Sequence, residues 1–262
     1  MNAFIQNVKA FCINSFVMKV GFTILLMTFL HFCYAQQTVN LVFVNKNSIT
    51  ENVKEADAFI VIKKFDTHFQ RLDYKMHAPL LKERNYTDST LTVLDGRYCE
   101  YHINGMLRLH GEYVNNFKEN TWYNYNDTGK CILQKKYLHN DLIETIDPDT
   151  LKKDQPPTDI IKADEKEAMF GNGKNDWRQY LEKNLHGEEA NFSLGGGEVR
   201  AMFIIDTVGK CTNIMLKKSK EFVLDEEAKR LIYISPPWNP AYQKGRKVRA
   251  FRIQPITFAK GE

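Results

Sequence analysis

Laid over each other, RYCEYHINGMLRLHGEY (97–113) and TWYNYNDTGKCILQKKY (121–137) align without a gap. At this offset of 24, Tyr98 meets Trp122, Tyr101 meets Tyr125, Gly105 meets Gly129, Leu109 meets Leu133 and Tyr113 meets Tyr137. Just beyond, Asn116 meets Asn140. Each unit has the grammar of a hairpin: an aromatic-marked strand, an NG or TG turn that needs a residue at positive φ, and an alternating strand that returns to a tyrosine. VNNFKEN between the units supplies a second polar turn. Hairpins joined this way predict a single-layer antiparallel meander held by cross-strand aromatic pairs, in which the tyrosines and tryptophan pack rather than bind ligand. AFIVIKKFD, FQRLDYKM and STLTVLDG alternate in the same fashion, so the sheet is expected to begin near Phe59.

The pattern changes after residue 143. Residues 144–175 are charged, punctuated by Pro and Gly and without periodicity, which reads as a linker with a short docking segment at Thr158–Ile161. Next, Trp177, Tyr180, Leu181 and Leu185 mark one face of a helix, with Asp176 as its expected N-cap and Gln179 three residues on. GEVRAMFIID alternates, TVGK turns the chain, and CTNIMLKKS returns as the antiparallel partner. Leu224, Ala228, Leu231 and Ile232 stripe a second helix with Asp225 at its cap, and Pro236-Pro237 ends it. Trp238 is expected to fold back as an apolar plug at that corner, with Pro240 and Gly245 leading to a last strand at 248–258. Pro255 suits an edge position there. The fold class expected is therefore α+β: an α-β-β-α-β unit with a three-stranded antiparallel sheet, preceded by the meander.

Length and charge narrow the function. A chain of 262 residues holds one or two cores. Lys9 and Lys19 lie near the N-terminus, and the rest carries 34 basic against 32 acidic residues, so no electrostatic case for nucleic acid arises. MKVGFTILLMTFLHFCYAQQ (18–37) has the layout of a secretory signal, with cleavage expected after Ala35. Its apolar run from Val20 to Phe32 is short of the roughly 20 residues of a spanning helix, the alternative being an uncleaved anchor. Cys99, Cys131 and Cys211 remain beyond the leader. Their spacing matches no metal or redox pattern; they read as small apolar residues, with one disulfide left open. The organisation expected is a leader at 1–35, a β-rich domain at 36–143, a linker at 144–175 and a C-terminal domain at 176–262.

Two resemblances rest on these residues. The units within 93–143 resemble the MORN-like repeats of the YwqK antitoxin-component family, which marks a fold and little about function. The second covers roughly 176–258. Gly197, Val199, Phe203, Ile205, Asp206, Gly209, Ile214 and Ser219 are followed in order by Leu224, Asp225, Ala228, Pro237, Trp238, Pro240, Ala241, Gly245, Val248, Pro255, Ile256 and Phe258. That ordered set resembles the C-terminal domain of TonB in the form common in Bacteroidetes-type proteins. The resemblance implies a periplasmic domain that takes an extended segment of a TonB-dependent outer-membrane receptor as an added strand beside its last strand. The partner-binding residues implied are Lys247, Val248, Arg249, Ala250, Phe251, Arg252, Ile253 and Gln254, with Asp206, Gly209, Pro237, Trp238 and Pro240 structural. Inner-membrane motor proteins become partners if the leader stays uncleaved. The chain departs from the family in lacking a Y-P-x-x-A element before its first strand and a long Pro/Lys-rich spacer.

No cofactor, metal or catalytic residue is expected. His102 and His110 fall on a polar strand face near Cys99. His186 beside Glu188 and Glu189 has no companion ligands at metal spacing, and GGG at 195–197 precedes a strand and not a helix. The function the TonB resemblance implies is an adapter in energy-coupled transport. The alternative is an envelope scaffold with no transport role, built from the repeat sheet and an orphan TonB-like domain.

Overall fold

The computed structural model describes residues 38–151, 165–185 and 195–259, and it is mostly antiparallel β-sheet. Ten strands form one sheet: β1 (Thr38–Asn45), β2 (Ser48–Ile49), β3 (Ala58–Lys64), β4 (Phe69–Lys75), β5 (Leu80–Tyr86), β6 (Leu94–Tyr101), β7 (Leu107–Val114), β8 (Phe117–Tyr125), β9 (Cys131–Leu138) and β10 (Asp141–Ile146). Their order is β10-β9-β8-β7-β6-β5-β4-β3-β1-β2, a meander from β3 onward. The sheet therefore starts at Thr38 and not near Phe59. TVNLVFVN alternates as regularly as the strands after it, and it pairs Leu41 with Val61 and Phe43 with Phe59.

The 24-residue repeat is a repeat of hydrogen bonds. Gly105 and Gly129 sit at φ 83° and 85°, and each closes the same turn, with His102 N donating to Met106 O at 2.8 Å and Asn126 N to Lys130 O at 3.0 Å. Between units, Asn115 and Asn116 take φ 50° and 71°, His139 and Asn140 take 51° and 73°, the signature of a tight hairpin turn that Asn tolerates. The Asn116 side chain accepts from Leu94 N at 2.7 Å, and Asn140 accepts from Lys118 N at 2.7 Å. Trp122 lies over Gly111, where a Cβ would come within 2.2 Å of the indole, and packs edge-on to Tyr113 and Tyr137. Lys118 caps this cluster, 4.8 Å from the Trp122 ring centre.

After β10 come α1 (Pro148–Leu151), α2 (Lys174–Asn184), β11 (Gly197–Ile205), β12 (Cys211–Lys218), α3 (Phe222–Tyr233), β13 (Ala241–Gln243), β14 (Arg246–Val248) and β15 (Ala250–Phe258). β12-β11-β15 form a three-stranded antiparallel sheet, and β13-β14 form a separate hairpin. Neither expected N-cap holds. Gly173 precedes α2 and Glu221 precedes α3, while Asp176 and Asp225 lie inside the first turns. Both carboxylates still satisfy backbone N–H groups from there: Asp176 accepts from Asn172 N at 2.8 Å, Asp225 from Lys220 N at 2.9 Å. Glu144–Ile146 complete β10, and Lys166 and Met169 bridge to Tyr242 and Asn239. The leader, Thr158–Ile161 and His186, Glu188 and Glu189 lie outside the described residues.

One continuous core joins the two sheets. The inner face of β3–β6 carries Phe59, Val61, Leu72, Tyr74, Leu80 and Cys99 with buried Lys63, Gln70 and Glu83 among them, and it needs a second layer to bury it. β12 and α3 provide that layer. Phe59 and Tyr74 stack at 5.3 Å and both meet Phe222 edge-on. Ser219 accepts from Leu80 N at 2.7 Å and gives its own N–H to Gly105 O at 2.9 Å, while Tyr101 Oη donates to Leu216 O at 3.1 Å. Gly105 thus has two reasons to lack a side chain: its positive φ, and a Ser219 carbonyl oxygen that would stand 2.1 Å from a Cβ.

Candidate functional site

β15 pairs with β11 from Gly197↔Phe258 to Ile205↔Ala250 without a bulge, and it is the last strand of its sheet. Strand alternation divides its side chains. Ile256 and Phe258 are buried on the helix-covered face, beside Val199 of β11, while Phe251 and Ile253 stand 75% and 47% exposed on the other. Arg252, on the helix side, donates to Glu167 at 3.1 Å. Pro255 sits opposite Arg200 in this edge strand.

The eight expected contact residues do not form one strand. Lys247 and Val248 belong to β14 and pair with Tyr242 and Ala241 of β13. Lys244 and Gly245, at φ 51° and 73°, make the tight turn of that hairpin. Arg249 is the exposed joint between hairpin and edge strand, leaving Ala250–Gln254 on the open edge itself. Sequence periodicity did not separate these pieces, because alternation runs from Lys247 across the joint to Ala250 and shifts phase only at Ala250-Phe251.

The expected structural residues split as well. Asp206 Oδ1 accepts from Val208 N and Lys210 N, both at 2.9 Å, and so builds the β11–β12 turn. Gly209 in that turn accepts from Trp238 N at 2.9 Å, and a Cβ there would stand 2.1 Å from Trp238 O. Trp238 is buried against Phe170, Trp177 and Phe203 and donates to Ser235 Oγ at 3.0 Å. Turn and tryptophan are one device. Pro237 and Pro240 flank it at the surface, exposed and half-buried, and act on the path of the chain only.

Sequence reasoning missed a cleft of about 300 Å³ between the meander and the C-terminal sheet. Met202, Met215 and Phe251 line one side, His110 and Tyr123 the other. His110 stacks on Tyr123 at 4.7 Å, and burial, then Lys217 and Arg97, push its imidazole down to about 4, so it is neutral at physiological pH. Arg97 holds the cleft's rim by donating to buried Glu83 at 2.8 Å and to Asn213 at 3.3 Å. The signal available was that His110 shares a strand face with Cys99, which belongs to the core. Among the described residues no group of three His, Cys, Asp or Glu side chains is placed to hold a metal ion. Among them too, no helix is long and apolar enough to cross a membrane.

Comparison with known protein families, with curated proteins and with solved structures finds no match.

Proposed function

We propose that the chain is a TonB-like adapter of the cell envelope, in which residues 176–258 are the TonB-like unit, binding an extended segment of an outer-membrane receptor as a strand antiparallel or parallel to β15. The observation that carries this is the open edge: a nine-residue strand in unbroken register on one side with no strand partner on the other among the described residues. Main-chain groups of Ala250–Gln254 supply the affinity, each hydrogen bond worth about 1 kcal/mol net. Phe251 and Ile253 offer an apolar row to alternate side chains of the guest. Arg249 keeps the empty edge soluble.

The test is a titration of the isotope-labelled full chain with peptides from the periplasmic N-termini of TonB-dependent receptors of the same cell, followed by NMR. Amide shifts concentrated on 250–254 are expected, with little change at Lys247 and Val248, whose strand partner is already β13. An unchanged spectrum at millimolar peptide would sink the proposal.

A further inference from the structure

The molecule has a second open edge. β10 ends the meander, and Asp141 to Thr145 are all exposed, including Leu142 at 52% and Ile143 at 56%. The register with β9 slips between Leu142 and Glu144, so Ile143 has no opposite residue in its own sheet. Apolar side chains on an unpaired strand are an association hazard that proteins usually blunt with charge.

Here the two open edges are charged with opposite sign. β10 (Asp141–Ile146) holds Asp141 and Glu144 and no basic residue. The open edge of β15 at 250–254, with its joint Arg249, holds Arg249 and Arg252 and no acidic residue. Laid antiparallel, Asp141 faces Arg252 and Leu142 faces Phe251, and beyond the bulge at Ile143 Glu144 faces Ala250, on the same face as Arg252. The same edges laid on copies of themselves bring like charges opposite each other, which destabilises a sheet pair. Complementary charge therefore selects β10 against β15 and rejects β10–β10 and β15–β15. The pair that Arg252 gives up, with exposed Glu167, is a surface ion pair, and such pairs are worth little.

We infer that β10 of one copy adds as a strand to β15 of a second copy, giving a head-to-tail assembly of this chain. Such a contact uses two different surfaces and so propagates into a ring or a filament. It also occupies the edge that the receptor segment needs, so assembly and receptor binding exclude each other.

Sedimentation of the full chain at rising concentration tests this. The wild type is expected to at least about double its weight-average mass at millimolar concentration and to lose the gain in high salt. D141K/E144K makes both edges basic and R249D/R252D makes both acidic; each alone is expected to remain at one-copy mass. An equimolar mixture restores opposite charges at every β10–β15 contact and is expected to regain the wild-type mass, which misfolded variants would not do. A wild type that stays at one-copy mass, variants that associate like the wild type, or a mixture that does not would each overturn the inference. D141K/E144K leaves β15 untouched, so its receptor-peptide shifts report on the proposed function separately.

Discussion

The two ends of the meander obey the same hairpin grammar and have opposite fates. β3 and β4 bury every second side chain, with Val61 and Leu72 fully enclosed, because β12 and α3 lie across them. β9 and β10 bury none, and β10 is exposed along nearly its whole length. Turn chemistry and aromatic pairing are enough to keep the far end in register: Asn140 and Gly129 do for β8–β10 what Asn116 and Gly105 do for β6–β8. The difference is that the near end is a wall of a two-layer core, while the far end is free to act as a template. Local sequence sets the hairpins, and packing sets what each hairpin is for.

The largest test of that contrast is in the shared core. Phe222 is 3% exposed and its ring meets both Phe59 and Tyr74 edge-on. Phe222→Ala is expected to cost about 3–5 kcal/mol of unfolding free energy, as large-to-small changes at buried aromatics do. The loss is read as a lower urea midpoint. Tryptophan fluorescence should report one transition, since Trp122 of the meander and Trp238 of the C-terminal sheet belong to layers that share the core. Two separated transitions in the wild type would break the claim that the layers unfold together.

A smaller effect isolates the clasp between the layers. Asp225 is buried and accepts from Ser219 Oγ at 2.5 Å, Lys220 N at 2.9 Å and Tyr74 Oη at 3.0 Å. Burial outweighs those bonds and lifts its carboxyl to about 7. The native state then keeps a proton that the unfolded chain, near its ordinary value of about 4, has released. Its contribution is full below about pH 4 and is lost as pH rises through about 7, a slope on the order of 1.4 kcal/mol per pH unit in that window. Glu226 beside it runs the other way: burial pushes its carboxyl up, but Lys229 and Lys63 pull it down to about 2, so it stays charged throughout the window. Asp225→Asn cannot titrate, and the wild-type advantage over it should shrink as pH rises from 4 to 8 in urea melts. Parallel profiles for the two proteins would remove Asp225 as the source.

The same contrast governs how much of the molecule is legible in its sequence. The repeat is readable because Asn, Gly and aromatic positions recur at fixed offsets and act on their own strand neighbours. The first strand is harder to read although Val39, Leu41 and Phe43 alternate, because no turn signature of the repeat type ties it to β3; Lys46 and Asn47 make its tight turn at φ 46° and 69° with little advertisement. The joint at Arg249 is invisible because alternation continues across it. The clasp is out of reach for a different reason. Tyr74 and Asp225 are far apart in the chain, and nothing in a single sequence pairs a strand tyrosine with a carboxylate in a later helix. His110 likewise looks like a residue of an open polar face until the second layer lies over it.

Gly105 and Gly129 occupy the same place in the repeat, and they give the finest version of the comparison. Both hold φ near +85°, where an L side chain costs roughly 1–2 kcal/mol. At Gly129 a Cβ would clash with the Met106 Cε methyl, at 2.2 Å, the far end of a flexible side chain, and touch Lys217 Cε at an ordinary 3.7 Å. At Gly105 it would meet the Ser219 carbonyl oxygen at 2.1 Å, a backbone atom fixed between β12 and α3. Relief there requires the two layers to part, which strains the Gly105 O to Ser219 N bond and the Leu80 N to Ser219 Oγ bond. Gly129→Ala is therefore expected to lose only the backbone term, and Gly105→Ala about 1–2 kcal/mol more, one or two hydrogen bonds' worth. Equal urea midpoints for the two variants would mean that the covered and open ends of the sheet differ in burial but not in how tightly the second layer holds the turn.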